Sequence, residues 1–204
     1  MTVQQVIDTA ANRELKNIAI SNDVNAVLEY INLGLIELYK RFALKVSEEM
    51  VELQDGVEMY EMPSDFMWAI TAYGEVESGS DVEVVELPIN EEDNPLSLNT
   101  VGYNTVQVPL ATDGAYISII YRAGPEWVTE ANLNDSVKVP PQMIAPLLNY
   151  IGYSGHISVN GIANTEQSTH YALFEQACAR IEAAGMFTSD DVLMPKRISN
   201  RGFK

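Results

Sequence analysis

Positive charge is scarce in this chain. Twelve Lys and Arg stand against 29 Asp and Glu, a formal net charge of −17 over 204 residues. Nonspecific attachment to a nucleic-acid backbone needs clustered cations that release counterions from the phosphates, so a conventional DNA-binding role is disfavoured. Cysteine is scarcer still. The single thiol, Cys178, excludes an intrachain disulfide and fits a reducing compartment. The two histidines, His156 and His170, fall on two different predicted helices. With one cysteine they make no zinc pattern, although helix pairing could bring them together; the plainer reading is two surface or interfacial side chains. No uninterrupted apolar run approaches the ~18 residues of a membrane span. The N-terminal Met-Thr-Val-Gln-Gln-Val-Ile-Asp lacks the basic and apolar regions of a signal peptide.

Catalytic signatures are missing as well. There is no Gly-x-Ser-x-Gly elbow, no phosphate loop and no dinucleotide fingerprint, and the EF-hand spacing is absent. Cys178 lies on the apolar stripe of a predicted helix, which suits a small core residue better than a nucleophile. Ser154 and His156 sit two apart on a helix and point in different directions. Carboxylates such as Glu91-Glu92-Asp93 are abundant, but an acidic composition produces accidental pairs. A carboxylate-dependent hydrolase therefore stays open only as an alternative. The expectation is a protein that is not an enzyme and holds no metal and no cofactor.

What is present suits a globular chain. The apolar fraction is 47%, and a chain of this length buries about 70% of its unfolded surface without a disulfide or metal. Val3, Val6, Ile7 and Ala10 mark a short amphipathic helix, with Thr2 and Gln5 as its capping box. Asp23 caps a second helix, expected from about 24 to about 46, whose Val24, Val27, Leu28, Ile31, Leu35, Leu38, Tyr39 and Phe42 recur at three and four residues. Gly34 inside it costs about 1 kcal/mol relative to Ala, which a close helix–helix contact would explain.

The period then shortens to two. Asp55-Gly56 between Met50–Leu53 and Val57–Met62 predicts a hairpin, and Asp113-Gly114 between Thr105–Leu110 and Tyr116–Tyr121 predicts another. Trp68 and Trp127 flank this region. Apart from Arg122, the charges near them are acidic or absent. Core or interface packing is therefore expected of them rather than base stacking, which interleaves aromatics with cations.

Helix returns after Pro140-Pro141, with a late start or a kink expected at Pro146. Gly152 and Gly155 weaken its far end, and Gly161 marks a turn. A last helix opens at Asn164, buries Tyr171, Phe174, Cys178 and Ile181, and stops at Gly185. Four of the twelve basic residues, Lys196, Arg197, Arg201 and Lys204, stand in the final ten positions. The predicted class is α+β. Its layout is a bundle of N- and C-terminal helices (1–48 and 138–186), an inserted β-rich module (49–137) and an extended tail (187–204).

Three segments together carry a resemblance: Asn32–Arg41, Tyr60–Phe66, and Ile119–Pro125 followed by Val139-Pro140-Pro141 and a helix rich in Leu and Tyr. Their order resembles the head-to-tail adaptor proteins of tailed bacteriophages, also called connector or tail tubular proteins, over nearly the whole chain. The resemblance implies a structural subunit of the virion neck, made in the host cytoplasm. It implies a ring, most often a dodecamer, below the portal protein and above a tail tube or nozzle protein, lining the channel through which DNA is ejected. A membrane partner is not expected. It also implies that the C-terminal tail docks on the portal, here through Met194, Pro195, Lys196, Arg197, Ile198, Arg201, Phe203 and Lys204.

Twelve copies would carry on the order of −200 formal charges around a duplex with one charge per ~1.7 Å. Such a wall would repel DNA weakly from all sides and let it slide, because the Debye length at 0.1 M salt is about 10 Å. Glu75, Glu77, Asp81, Glu83, Glu86, Glu91, Glu92 and Asp93 are the candidates for the lumen or the rim. Another neck or tail-completion protein, and a small regulatory binding module, remain as competing readings.

Overall fold

The computed structural model describes residues 1–16, 18–78, 81–108, 116–160 and 165–187. The chain is mixed α+β and divides into two compact units, one of Met1–Leu44 with Pro125–Lys204, the other of Lys45–Gly124.

The first unit is helical. Helix α1 (Val3–Asn12) begins with the expected capping box: Gln5 N donates to Thr2 Oγ1 at 3.2 Å, and Thr2 N donates to Gln5 Oε1 at 2.9 Å. It buries Val3, Val6, Ile7 and Ala10, the face that the spacing predicts. Helix α2 (Val24–Arg41) opens on Asp23, whose carboxylate accepts from Ala26 N. It ends at Arg41 rather than near 46. Phe42 turns extended, with φ −116° and ψ 144°, and goes 2% exposed into the core. The apolar period continued past the stop because Phe42 is buried without being helical.

A 3-10 turn at Pro141–Met143 leads into α3 (Ile144–Asn160). Pro146 is thus third in the helix, where a backbone N–H has no intrahelical partner to lose, and the late start accommodates it. Gly152 and Gly155 remain inside α3. The last helix is α4 (Thr165–Ala183), closed by Gly185 N donating to Glu182 O. The predicted cap Asn164 and the turn at Gly161 lie outside the described residues. One apolar core joins the four helices, with Val6, Val27, Ile31, Leu38, Leu147, Ile151 and Cys178 all at 0% exposure.

The second unit is a pair of antiparallel sheets. Strands β1 (Val46–Glu52), β3 (Phe66–Ser78), β4 (Asp81–Leu87) and β7 (Tyr116–Ala123) form one, in the order β1-β7-β3-β4. Strands β2 (Met59–Glu61), β5 (Asn99–Thr100) and β6 (Thr105–Gln107) form the other, in the order β2-β6-β5. Ala72, Leu98, Val106, Ile119 and Ala123 are completely buried in the core of this unit.

The predicted hairpins do not form as pairs. A turn does occur at Gln54–Val57, with Gly56 at φ +74°, but β1 pairs with β7 and β2 pairs with β6. Likewise β6 and β7 belong to different sheets, and residues 109–115 between them lie outside the described ones. Turn chemistry fixes where the chain bends. Cross-strand packing fixes which strands meet, and here long-range partners won.

Candidate functional site

The acidic candidates fall on one hairpin and one loop. Strands β3 and β4 pair antiparallel, with Glu75 opposite Val84, Val76 opposite Glu83 and Ser78 opposite Asp81. Glu75, Glu77, Asp81 and Glu83 are therefore placed by their backbone positions along this hairpin. Glu86 is exposed and accepts from Thr71 Oγ1 at 3.0 Å. Glu91, Glu92 and Asp93 are exposed on the loop after β4.

That loop is built by specific contacts. Asn90 takes a positive φ of 53°, and its N–H donates to Leu98 O while Leu98 N donates to Pro88 O. Glu91 N donates to the buried Ser97 hydroxyl at 2.9 Å. Glu91 Oε2 accepts from Asn94 Nδ2 at 2.9 Å. The three carboxylates are thus presented on a hydrogen-bonded turn, and among the described residues no cation takes part in its scaffold. The tail candidates Met194, Pro195, Lys196, Arg197, Ile198, Arg201, Phe203 and Lys204 lie outside the described residues.

The histidines are where sequence reasoning fell short. His156 is 5% exposed, and the His170 side chain is 16% exposed. Their rings stack with centroids 5.1 Å apart and planes 20° off parallel. Helix pairing does bring them together, with His156 buried and His170 half-buried rather than superficial. His156 Nε2 lies 3.1 Å from Glu14 O, and His170 Nδ1 lies 3.5 Å from Glu14 Oε2. Gly152 makes the room, since a Cβ there would stand 2.8 Å from His170 Nδ1. The glycine that weakens α3 as a helix is the signal that a ring from a neighbouring helix packs against it. Among the described residues no group of three or more His, Cys, Asp or Glu is arranged to hold a metal. Cys178 is fully buried, and burial pushes its thiol up to about 11, as suits a packing residue.

Neither tryptophan is in a core. Trp68 is 38% exposed, Trp127 61%. Trp68 lies opposite Arg122 across β3 and β7, and the guanidinium carbon stands 4.6 Å from its ring centroid. Burial lowers the Arg122 pKa. The one basic residue noted near the tryptophans is therefore engaged by a ring.

In the helical unit, Arg41 at the end of α2 binds two carboxylates of α4. Its Nε donates to Glu182 Oε1 at 2.6 Å, and its Nη1 donates to Glu175 Oε2 at 2.8 Å. The bond to Glu182 is the main cause of a raised Arg41 pKa, and the same bond holds the Glu182 carboxyl below its ordinary value. Asn32 is buried within α2 and clamps Val128 through two bonds of 2.8 Å, one from its amide nitrogen and one to its amide oxygen. This side chain was not foreseen, because a lone Asn on an apolar face resembles an interruption of the stripe.

With these surfaces defined, comparison with known proteins supplies the family. The model of the SU10 adaptor protein family matches residues 1–195. The chain belongs to that family. Membership agrees with the adaptor resemblance drawn from the three sequence segments. No curated protein sequence matches the chain. Among solved structures, a chain from a study titled "Neck of empty GTA particle computed with C6 symmetry" is similar at 12% identity, with a TM-score of 0.34. The similarity covers 87% of this chain and 88% of that one. Among the described residues no helix is long and apolar enough to cross a membrane.

Proposed function

We propose that this SU10-family adaptor assembles as a ring, most often of twelve copies, beneath the portal protein of its phage, and joins the head to a tail tube or nozzle protein. The family match over residues 1–195 carries this reading. DNA passes through the ring without specific binding. A net charge of −17 and an ordered, exposed acidic loop at Glu91–Asp93 support that part, because a wall short of cations offers the phosphates no counterion release. Glu86, Glu91, Glu92 and Asp93, with Glu75, Glu77, Asp81 and Glu83 on the hairpin, are proposed to face the lumen or the rim.

The tail from Met194 to Lys204 is proposed to dock on the portal. It offers Ile198 and Phe203 as apolar anchors and four cations opposite in sign to the body. The test is to mix the purified chain with the portal protein of the same particle and image the product. A ring capping the portal is expected, and deletion of residues 188–204 should abolish it. Unchanged co-assembly of the truncated chain would end the docking assignment, and a lumen lined by basic residues would end the acidic-wall assignment.

A further inference from the structure

Four aromatic rings on the helical unit close a circuit. Tyr150 meets Tyr153 at 5.6 Å between centroids, Tyr153 meets Tyr171 at 4.9 Å, Tyr171 meets Phe174 at 6.1 Å, and Phe174 returns to Tyr150 at 5.3 Å. The rings line a cleft of about 350 Å³. Ligand clefts start at about 300 Å³, so one ring system fills this one. Glu37, Lys40 and Arg41 of α2 and Glu175 of α4 complete the lining. Lys40 Nζ bonds Glu37 at 2.8 Å, and Arg41 Nη1 bonds Glu175 at 2.8 Å. Two cations against two carboxylates leave the lining neutral, so a charged guest gains little there. A flat, neutral, electron-rich ring gains twice: it packs on the tyrosines and lies beside two cations.

The same unit exposes such a ring. Trp127 is 61% exposed, yet the backbone that follows it is held. Asn32 accepts from Val128 N and donates to Val128 O, and Thr129 N donates to Asn132 Oδ1 at 3.2 Å. A large aromatic presented to solvent from a fixed backbone is preorganised for binding. Trp and Tyr are also among the side chains that most often dominate an interface.

Helix α2 stands between the indole and the cleft. Asn32, Leu35 and Tyr39 face the Trp127 segment: Asn32 holds Val128, Leu35 borders a small cavity with Trp127, and Tyr39 Oη donates to Lys138 O at 2.7 Å. Glu37, Lys40 and Arg41 face the cleft. At about 100° per residue, the two sets centre about 160° apart around the helix. Trp127 therefore points away from the cleft of its own chain. A contact between two such surfaces is heterologous, the head-to-tail kind that closes into a ring.

We propose that Trp127 of one copy inserts into the tyrosine-lined cleft of the next copy around the ring. This contact rests on the ring reading above and names the surfaces that meet in it. Charge complements shape. Exposed Glu126 arrives beside the indole and meets Lys40, the more accessible of the two cleft cations, with its side chain 54% exposed against 26% for Arg41. Leu33, exposed one turn before Glu37 on α2, extends the apolar rim.

The test is photo-crosslinking in the assembled ring. The full chain, with p-benzoylphenylalanine in place of Trp127, is mixed with the portal protein of the same particle, imaged, irradiated and mapped by mass spectrometry. The expected product joins two copies of the chain, with the link on α2 between 33 and 41 or on the cleft rings Tyr150, Tyr153, Tyr171 and Phe174. Trp127→Ala should keep the thermal midpoint of the native chain, because the side chain is mostly exposed. It should raise the protein concentration needed for ring assembly at least about thirtyfold, the loss expected of an interface hot spot. Trp127→Phe should lose less. A ring whose links fall elsewhere, or a Trp127→Ala chain that assembles like the native one, would overturn this contact and leave the ring standing. Links to the portal protein alone would overturn it too, assigning the indole to that partner. Absence of any ring in the images would overturn the ring reading itself, and this contact with it.

Discussion

At the scale of single residues, space and charge decide. Gly34 is needed because α3 passes against it: a Cβ there would stand 2.7 Å from Leu147 Cδ1 and 3.2 Å from Tyr150 Cδ1. The sequence exposed the oddity of a glycine inside α2, and the structure names the neighbour. Replacing it with Leu should overpack the helix contact and cost about 1–3 kcal/mol. That loss should lower the thermal midpoint by about 2–4 °C per kcal/mol, as calorimetry would show. Cys178 gives a second residue-level expectation. With its thiol pushed up to about 11, it should resist alkylation at pH 8 in the native protein and react promptly once denaturant unfolds the chain. Native reactivity equal to the unfolded rate would contradict the burial.

At the scale of elements, the entry of β3 is held by a small polar cluster. Asp65 accepts from Lys45 Nζ at 2.8 Å and from Tyr121 Oη at 3.0 Å. Burial alone would raise the Asp65 pKa, but the ammonium and the hydroxyl outweigh it and hold the carboxyl below its ordinary value. Burial and the same carboxylate raise Tyr121. A carboxyl lowered by folding stabilises the fold at every pH above its unfolded value, about 3.9, and that stabilisation fades as the pH falls through the lower folded value. Glu182 is lowered in the same sense by Arg41. Chemical denaturation should therefore show little change from these groups between pH 7 and 5, then a decline below about pH 4. Asp65→Asn should be less stable at neutral pH and should lose less on acidification; an unchanged acid profile would count against the cluster.

At the scale of the whole molecule, charge is the property with functional reach. Each Glu-to-Lys or Asp-to-Lys reversal adds two charges, so reversing Glu91, Glu92 and Asp93 takes the net charge from −17 to about −11 while grouping three cations on one loop. Binding of duplex DNA should be undetectable for the native chain at 0.15 M salt. For the reversed one it should become measurable and steeply salt-dependent, as counterion release requires. Fluorescence anisotropy over a salt series would read this directly, and native binding with a comparable slope would argue against a repelling wall.

The legible features were local ones. The capping box of α1, the buried stripes of α1 and α2 and the stop at Gly185 depend on side chains three or four positions apart, and their spacing reports them. So do the absence of catalytic motifs and the adaptor resemblance, which rest on residue type and order. The tertiary structure alone decided what depends on distant partners: β1 beside β7 rather than β2, β6 and β7 in different sheets, His156 stacked on His170, Asn32 clamped to Val128, and four aromatics closed into one cleft. Backbone turns and amphipathic periods are set by neighbours in the chain, whereas strand pairing and side-chain clusters are chosen by cross-element packing, whose partners no local period identifies.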